Sequence, residues 1–268
     1  MTKADYHVHT TFCDGKNTPE EMARAALEMG LANLGFSGHS YTWFDESYCM
    51  SKDGTKAYKA EIIRLKSACR DRIRIFCGIE QDYYSEMPTE GYDYVIGSVH
   101  YLKFGDRFVP MDEGNKNLIE AANAFCGGDV LRVLELYYET VADVVNRTHC
   151  DIIGHFDLPT KYFEKDPIAD TNHPRYKRAW MTAADALLKT DALFELNTGA
   201  ISRGCRTKQY PADEILSYLG ERKAKVVLSG DCHRSDAICF GFDELIQKCE
   251  YYGLEITEPA FTKKTGFS

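Results

Sequence analysis

Residues 5–22, DYHVHTTFCDGKNTPEEM, read as one strand–loop–helix unit with its chemistry gathered at the loop. Residues 5–9 form a candidate strand. Alternate residues of a strand share a face, so His7 and His9 point two imidazoles at one spot. Thr18 then supplies an N-cap, Pro19 the first helical position and Glu21 the far end of a capping box. The helix that opens there runs through MARAALEM and stops at Gly30.

The same grammar returns along the chain. Short apolar runs end in His39 (LGFSGH), Glu80 (IFCGIE), His100 (YVIGSVH) and His155 (DIIGH), and Asp231-Cys232-His233 follows Val226-Val227-Leu228. Six of the eight histidines therefore close strand-like segments. The predicted strands cover residues 5–9, 34–39, 73–80, 94–100, 152–155, 193–197 and 225–229. The predicted helices cover about 18–29, 55–69, 130–148, 175–189, 211–219 and 243–252, followed by a short tail. Strands alternating with helices imply parallel pairing through right-handed crossovers. Candidate ligands spread over the ends of most strands favour a closed barrel, in which every strand end faces one site, over an open sheet with one switch point. The expected fold class is α/β, an irregular seven-stranded TIM-like barrel, with residues 1–268 as a single domain.

Composition narrows the function classes. The chain is 44% hydrophobic and 27% charged, ordinary for a globular protein. Its formal charge of −9 disfavours a sequence-independent nucleic-acid binder, which needs clustered Lys and Arg. Phosphate remains an acceptable ligand where metals and a few cations reverse the local field. The ten cysteines form no CxxC pair, and several sit in apolar runs as small hydrophobes. With no apolar leader or membrane-length run in view, the expected setting is cytoplasmic, with no membrane and no nucleic-acid partner.

Histidine, aspartate and glutamate without cysteine form the ligand set of catalytic Zn, Mn or Fe. Nine candidate donors exceed the roughly four to six that close around one ion. They suit a cluster of two or three ions, which clamps both oxygens of a phosphoryl transfer.

The motifs HVHTTFCDGKNTPEEM, FSGHS, CGIE, IGSVH, IGHFD, ELNTG and SGDCH, in this order and spacing, resemble the polymerase-and-histidinol-phosphatase (PHP) family over residues 5 to about 250. Within it, the chain is similar to the stand-alone histidinol-phosphatases of histidine biosynthesis. The resemblance implies the PHP fold and a trinuclear centre of divalent ions, Zn2+ first and Mn2+ or Fe2+ as alternatives. It implies that His7, His9, Glu80 and Asp231 hold the first ion. Glu80 would bridge to a second, held also by His100 and His155, and Asp14, His39 and His233 would hold the third. A bridging hydroxide would attack phosphorus in line. Arg203, in ELNTGAISRG, resembles the family's phosphate arginine, which implies a catalytic, phosphate-binding cation there; Lys161 is a second substrate-binding candidate. Arg206 would replace Arg203 if the loop register differs.

Other readings stand beside these. Asp14 precedes Gly15 and would serve equally as a turn residue. Glu195 and Asn197 share a strand face and are candidate orienters of the ligands, or members of the core. Trp43, Phe44 and Tyr101 would wall a substrate ring or simply pack. Asp112 and Glu113 read as solvated surface. The expected activity is hydrolysis of L-histidinol phosphate, a small-molecule phosphomonoester. The alternatives are a phosphoesterase acting on nucleotides or other small phosphomonoesters, and a metal-binding module without catalysis.

Overall fold

Two features bend the paired histidines out of a regular strand. The Asp5 carboxylate accepts the His7 amide at 3.2 Å, and the Ser37 hydroxyl accepts the Val8 amide at 3.0 Å, so side chains take the donors that a ladder would use. The first strand, β1, is therefore only Ala4–Asp5, shorter than the 5–9 expected from sequence. The structure, a computed structural model, describes residues 3–264; residues 1–2 and 265–268, the ends of the expected domain, lie outside them.

The remaining strands are β2 (Asn33–Phe36), β3 (Arg74–Asp82), β4 (Tyr94–Ser98), β5 (Tyr101–Phe104), β6 (Arg107–Pro110), β7 (Ile152–Ile153), β8 (Leu193–Asn197), β9 (Lys225–Ser229) and β10 (Glu255–Ile256). Eight of them form one parallel sheet in the order β1-β2-β3-β4-β7-β8-β9-β10. The sheet curls: past β1, Val8 bridges in parallel to Cys232, just past β9. The sheet has eight strands where the sequence pattern gave seven. The extra one is β10, two residues of the expected tail, which pairs with the start of β9. The hairpin β5–β6 lies outside the sheet and was not foreseen either.

The helices are α1 (Pro19–Glu28), α2 (Lys52–Ala68), α3 (Asn115–Phe125), α4 (Val130–Val141), α5 (Val144–Thr148), α6 (Pro174–Leu187), α7 (Gly199–Ser202), α8 (Asp213–Glu221), α9 (Phe242–Tyr252) and α10 (Phe261–Lys264). The capping box at Thr18 and Glu21 forms as the sequence pattern requires. The segment expected as one helix over 130–148 breaks at residues 142–143 into α4 and α5. Helix α2 begins earlier than expected, because the Ser51 hydroxyl caps it by accepting the Gly54 amide. Among the described residues no helix is long and apolar enough to cross a membrane, and all ten cysteines are free thiols.

Strand alternation sorts the interior of the curl into layers. Tyr6, Phe76, Tyr94, Ile96, Ile152, Leu193, Val227 and Phe261 form an apolar plug. Two residues further along the same faces stand polar groups: Glu80 beyond Phe76 and Gly78, Ser98 and His100 beyond Ile96, Glu195 and Asn197 beyond Leu193. Tyr94 joins the two layers. Its hydroxyl donates to the Tyr6 carbonyl at 2.5 Å, and its ring lies where a Cβ on Gly78 would stand 2.3 Å from it. Gly78→Ala is accordingly expected to destabilise the fold by about 1–3 kcal/mol through overpacking under Glu80. The urea midpoint checks this, and an unchanged midpoint would refute the layer argument.

Candidate metal centre

Glu80, at the open end of the long strand β3, is fully buried and is the hub of the site. Its Oε2 lies 3.1 Å from His7 Nε2, 3.4 Å from His9 Nε2 and 3.0 Å from His39 Nδ1. Its Oε1 lies 3.3 Å from His100 Nε2 and 2.9 Å from His155 Nε2, and accepts the Ser98 hydroxyl at 2.6 Å. One carboxylate thus divides five imidazoles between its two oxygens.

Asp231 stands on the other side of the paired histidines, with Oδ1 3.4 Å from His9 Nε2 and 3.8 Å from His7 Nε2. A third group gathers around Asp14, whose Oδ2 is 3.0 Å from His233 Nε2 and whose Oδ1 is 3.7 Å from His39 Nε2 and 3.8 Å from His9 Nδ1. All nine residues singled out from sequence therefore meet in one cluster. Among the described residues, the groups whose donor atoms converge closely enough to hold an ion are His7–His9–Glu80, His39–Glu80–His100 and His9–Asp14–His39–His233; His155 and Asp231 stand beside them and in none of the three. His9 and His39 each stand between two of these, whereas the sequence reading gave each to one ion.

An outer ring of acceptors fixes the imidazoles. His7 Nδ1 donates to Glu195 Oε2 at 2.8 Å, which leaves its Nε2 lone pair aimed at the cluster. His100 Nδ1 lies 3.3 Å from Asp82 Oδ2, again with Nε2 inward. The Asn197 amide donates to Glu195 at 2.8 Å and to Asp231 Oδ2 at 3.2 Å. The orienting reading of Glu195 and Asn197 thus has its contacts. Asp82 and Ser98 were missed, although the alternation that reveals Glu80 and His100 places Asp82 two residues beyond the one and Ser98 two before the other.

The electrostatics divide the ligands: burial opposes protonation of His7 and His100, yet Glu195 and Glu80 raise His7 and Glu80 and Asp82 raise His100 well above the usual imidazole range. Burial and the neighbouring His233 and His39 rings push His9 down to about 3, so its imidazole is neutral at physiological pH. Burial opposes ionisation of Glu80, yet the His7, His39 and His100 rings hold its carboxyl well below the usual range. Burial likewise opposes ionisation of Asp14, and the His39 and His233 rings lower it.

Four buried atoms facing the cluster, His7 Nε2, His9 Nε2, Glu80 Oε2 and Asp14 Oδ1, take part in no hydrogen bond. Buried polar atoms are nearly always paired, so convergent lone pairs without donors fit cations between them. The donor set is that of Zn, Mn or Fe.

The cluster floors a cavity of about 240 Å3 whose walls include Tyr48, Tyr101, Asp112, Glu113, Leu158, Lys161 and Arg203. Arg203 reaches the site as expected, but its guanidinium is bound to protein: Nη1 donates to the Asp231 carbonyl at 2.8 Å and Nη2 to its Oδ2 at 3.0 Å. Lys161 Nζ donates to Asp112 Oδ2 at 2.9 Å. Asp112 therefore belongs to the cavity wall and not to open surface, while Glu113 is exposed at its rim. Arg206 is buried, stacked over Tyr210 and bonded to the Thr160 hydroxyl, and does not line this cavity. Of the aromatic candidates Tyr101 lines the cavity, whereas Phe44 stacks on Phe108 and Trp43 is exposed. Tyr48, unforeseen, takes the place on the wall.

Residues 5–199 match the PHP domain family. The chain is 29% identical to a protein of Deinococcus radiodurans named "Probable histidinol-phosphatase", over 93% of each chain. It is 24% identical to the "Histidinol-phosphatase" of Bacillus subtilis, over 93% of this chain and all of that one. The histidinol phosphate phosphatase of Lactococcus lactis, solved with zinc, L-histidinol and phosphate, shares its fold with a TM-score of 0.72 at 20% identity, over 97% of each chain.

Proposed function

Because the chain belongs to the PHP domain family, we propose that it is a metal-dependent phosphomonoesterase that hydrolyses L-histidinol phosphate to L-histidinol and phosphate. The observation that carries this reading is Glu80 dividing five imidazoles between its two oxygens, the arrangement of a carboxylate that bridges cations. The names of the full-length relatives supply the substrate, and the histidine-pathway role follows from it.

We assign three divalent ions, Zn2+ first and Mn2+ or Fe2+ as alternatives, to His7, His9, Asp14, His39, Glu80, His100, His155, Asp231 and His233. Bound there, they supply a water activated near neutral pH and positive charge against the phosphoryl oxygens. The chain does the rest. Glu195 and Asp82 hold His7 and His100 with Nε2 inward, so no reorientation is needed during turnover. Arg203 and Lys161 bring cationic donors to the wall beside the cluster, where a phosphoryl group would sit. Tyr48, Tyr101 and Leu158 narrow the mouth. The cavity falls below the ~300–1,000 Å3 of drug-sized pockets, which favours a small phosphomonoester over a nucleotide. The architecture fits a seven-strand barrel, β1–β4 and β7–β9, with β10 as an addition, in one domain. Ten free thiols support a reducing, cytoplasmic setting.

The test is phosphate release from L-histidinol phosphate beside nucleotides and phosphotyrosine, before and after chelation. We expect selective release from L-histidinol phosphate, lost on chelation and restored by Zn2+ or Mn2+. Chelator-resistant release would refute the metal centre, and selective release from a nucleotide would refute the substrate.

A further inference from the structure

The wall of the cavity carries a charge pair of which the reaction described above uses only the lysine. Lys161 Nζ and Asp112 Oδ2 are 2.9 Å apart, with side chains 13% and 25% exposed, and both line the cavity with His100, His155 and Arg203. Lys161 follows β7 by way of the short turn Leu158–Thr160, whereas Asp112 lies just past β6. Two different crossovers thus deliver opposite charges to one point on the wall.

The two cations of the wall differ in freedom. Arg203 is held by the Asp231 carboxylate and carbonyl, part of the cluster itself. Lys161 has a flexible stem and a single carboxylate partner. A phosphate dianion entering beside the cluster would attract Lys161 and loosen its hold on Asp112. A half-buried carboxylate short of a cation is unfavourable, so Asp112 then requires a second positive group. In L-histidinol phosphate the ammonium is attached to the carbon next to the ester carbon, so that a phosphate beside Lys161 puts it within reach of Lys161's partner.

We propose that Asp112 is the specificity residue for the substrate ammonium, and that Lys161 passes from Asp112 to the phosphate as the ammonium takes its place. The inference rests on the histidinol-phosphatase reading and deepens it. The site selects phosphomonoesters with an amine beside the ester carbon, because an ester without one leaves Asp112 uncompensated. Sites that lose a partner for a buried polar group discriminate far more strongly than apolar pockets do.

The experiment compares L-histidinol phosphate with its amine-free analogue, 3-(imidazol-4-yl)propyl phosphate, using Zn2+-loaded wild type, Asp112→Asn and Asp112→Glu. The readout is the ratio of kcat/KM for the two esters. Any effect of the substitution on folding or on metal loading acts on both esters and cancels in that ratio. We expect a wild-type ratio on the order of 100. Asp112→Asn lowers it at least tenfold, and Asp112→Glu recovers part of it. A wild-type ratio near one, or a ratio unmoved in Asp112→Asn while both rates fall together, overturns the inference alone. Failure of the wild type on both imidazole esters while it hydrolyses p-nitrophenyl phosphate sinks the histidinol-phosphatase reading, and this inference with it.

Discussion

Glu80→Gln is expected to lower kcat at least about a thousandfold and to strip metal from the protein. The substitution keeps the shape of the side chain, so packing above Gly78 and the Ser98 contact survive. It removes the negative charge and turns one of two acceptor oxygens into a donor nitrogen. Oε2 faces His7, His9 and His39, and Oε1 faces His100 and His155. Whichever way the amide is turned, its NH2 meets imidazole nitrogens that aim lone pairs inward, and the bridge between the two sets of histidines is lost. Metal content per chain and the rise in melting temperature on Zn2+ addition should fall together with turnover, since a ligand stabilises only the state that binds it. Full metal content with normal turnover would refute the bridging role. Normal metal content with no turnover would move Glu80 from holding the ions to acting directly on the reacting phosphate.

The same residue shows how much of the molecule could be read in advance. IFCGIE ends in an acid after an apolar run, and period-two alternation alone puts Phe76, Gly78 and Glu80 on one face, so floor, gap and ligand are legible in six letters. The parallel sheet and its helices follow from such runs repeated. Alternation also carries Asp82 and Ser98, which went unread because a carboxylate after a strand and a serine within one look ordinary until a histidine is found opposite. The β5–β6 hairpin left one local sign, the turn pair Gly105-Asp106, where Gly105 adopts φ +60°; its flanks YLKF and RFVP do not alternate. The truncated β1 left none. Its ladder is replaced by the Asp5 and Ser37 side chains, and Ser37 is 29 residues from the amide it accepts. Asp112 was misread for the same reason. Its partner Lys161 lies 49 residues away, and no local pattern distinguishes a solvated acid from one that meets a distant lysine.

Arg203→Ala is expected to reduce kcat/KM by about 10²–10³ and, in addition, to weaken metal retention by about 10- to 100-fold. A phosphate contact alone predicts only the first effect. The second follows from where the guanidinium is bound. Asp231 adopts φ +44°, a conformation that residues other than glycine rarely occupy, and Arg203 Nη1 holds its carbonyl while Nη2 holds its carboxylate. Nη1 also lies 2.9 Å from His233 Nδ1. Burial opposes ionisation of Asp231, and Arg203 is the foremost group that keeps its carboxyl well below the usual range, ahead of His7. Alanine removes that counter-charge and the clamp on a strained residue in one step. Arg203→Lys separates the two functions: a point charge still attracts a phosphate, but it cannot reproduce the fork on Asp231. Lysine should therefore restore much of the rate at saturating Zn2+ while metal loss under mild chelation stays fast. If metal retention is unchanged in both variants and only KM rises, Arg203 contacts phosphate and does not position Asp231. If kcat/KM is unaltered in Arg203→Ala, it has no part in the site.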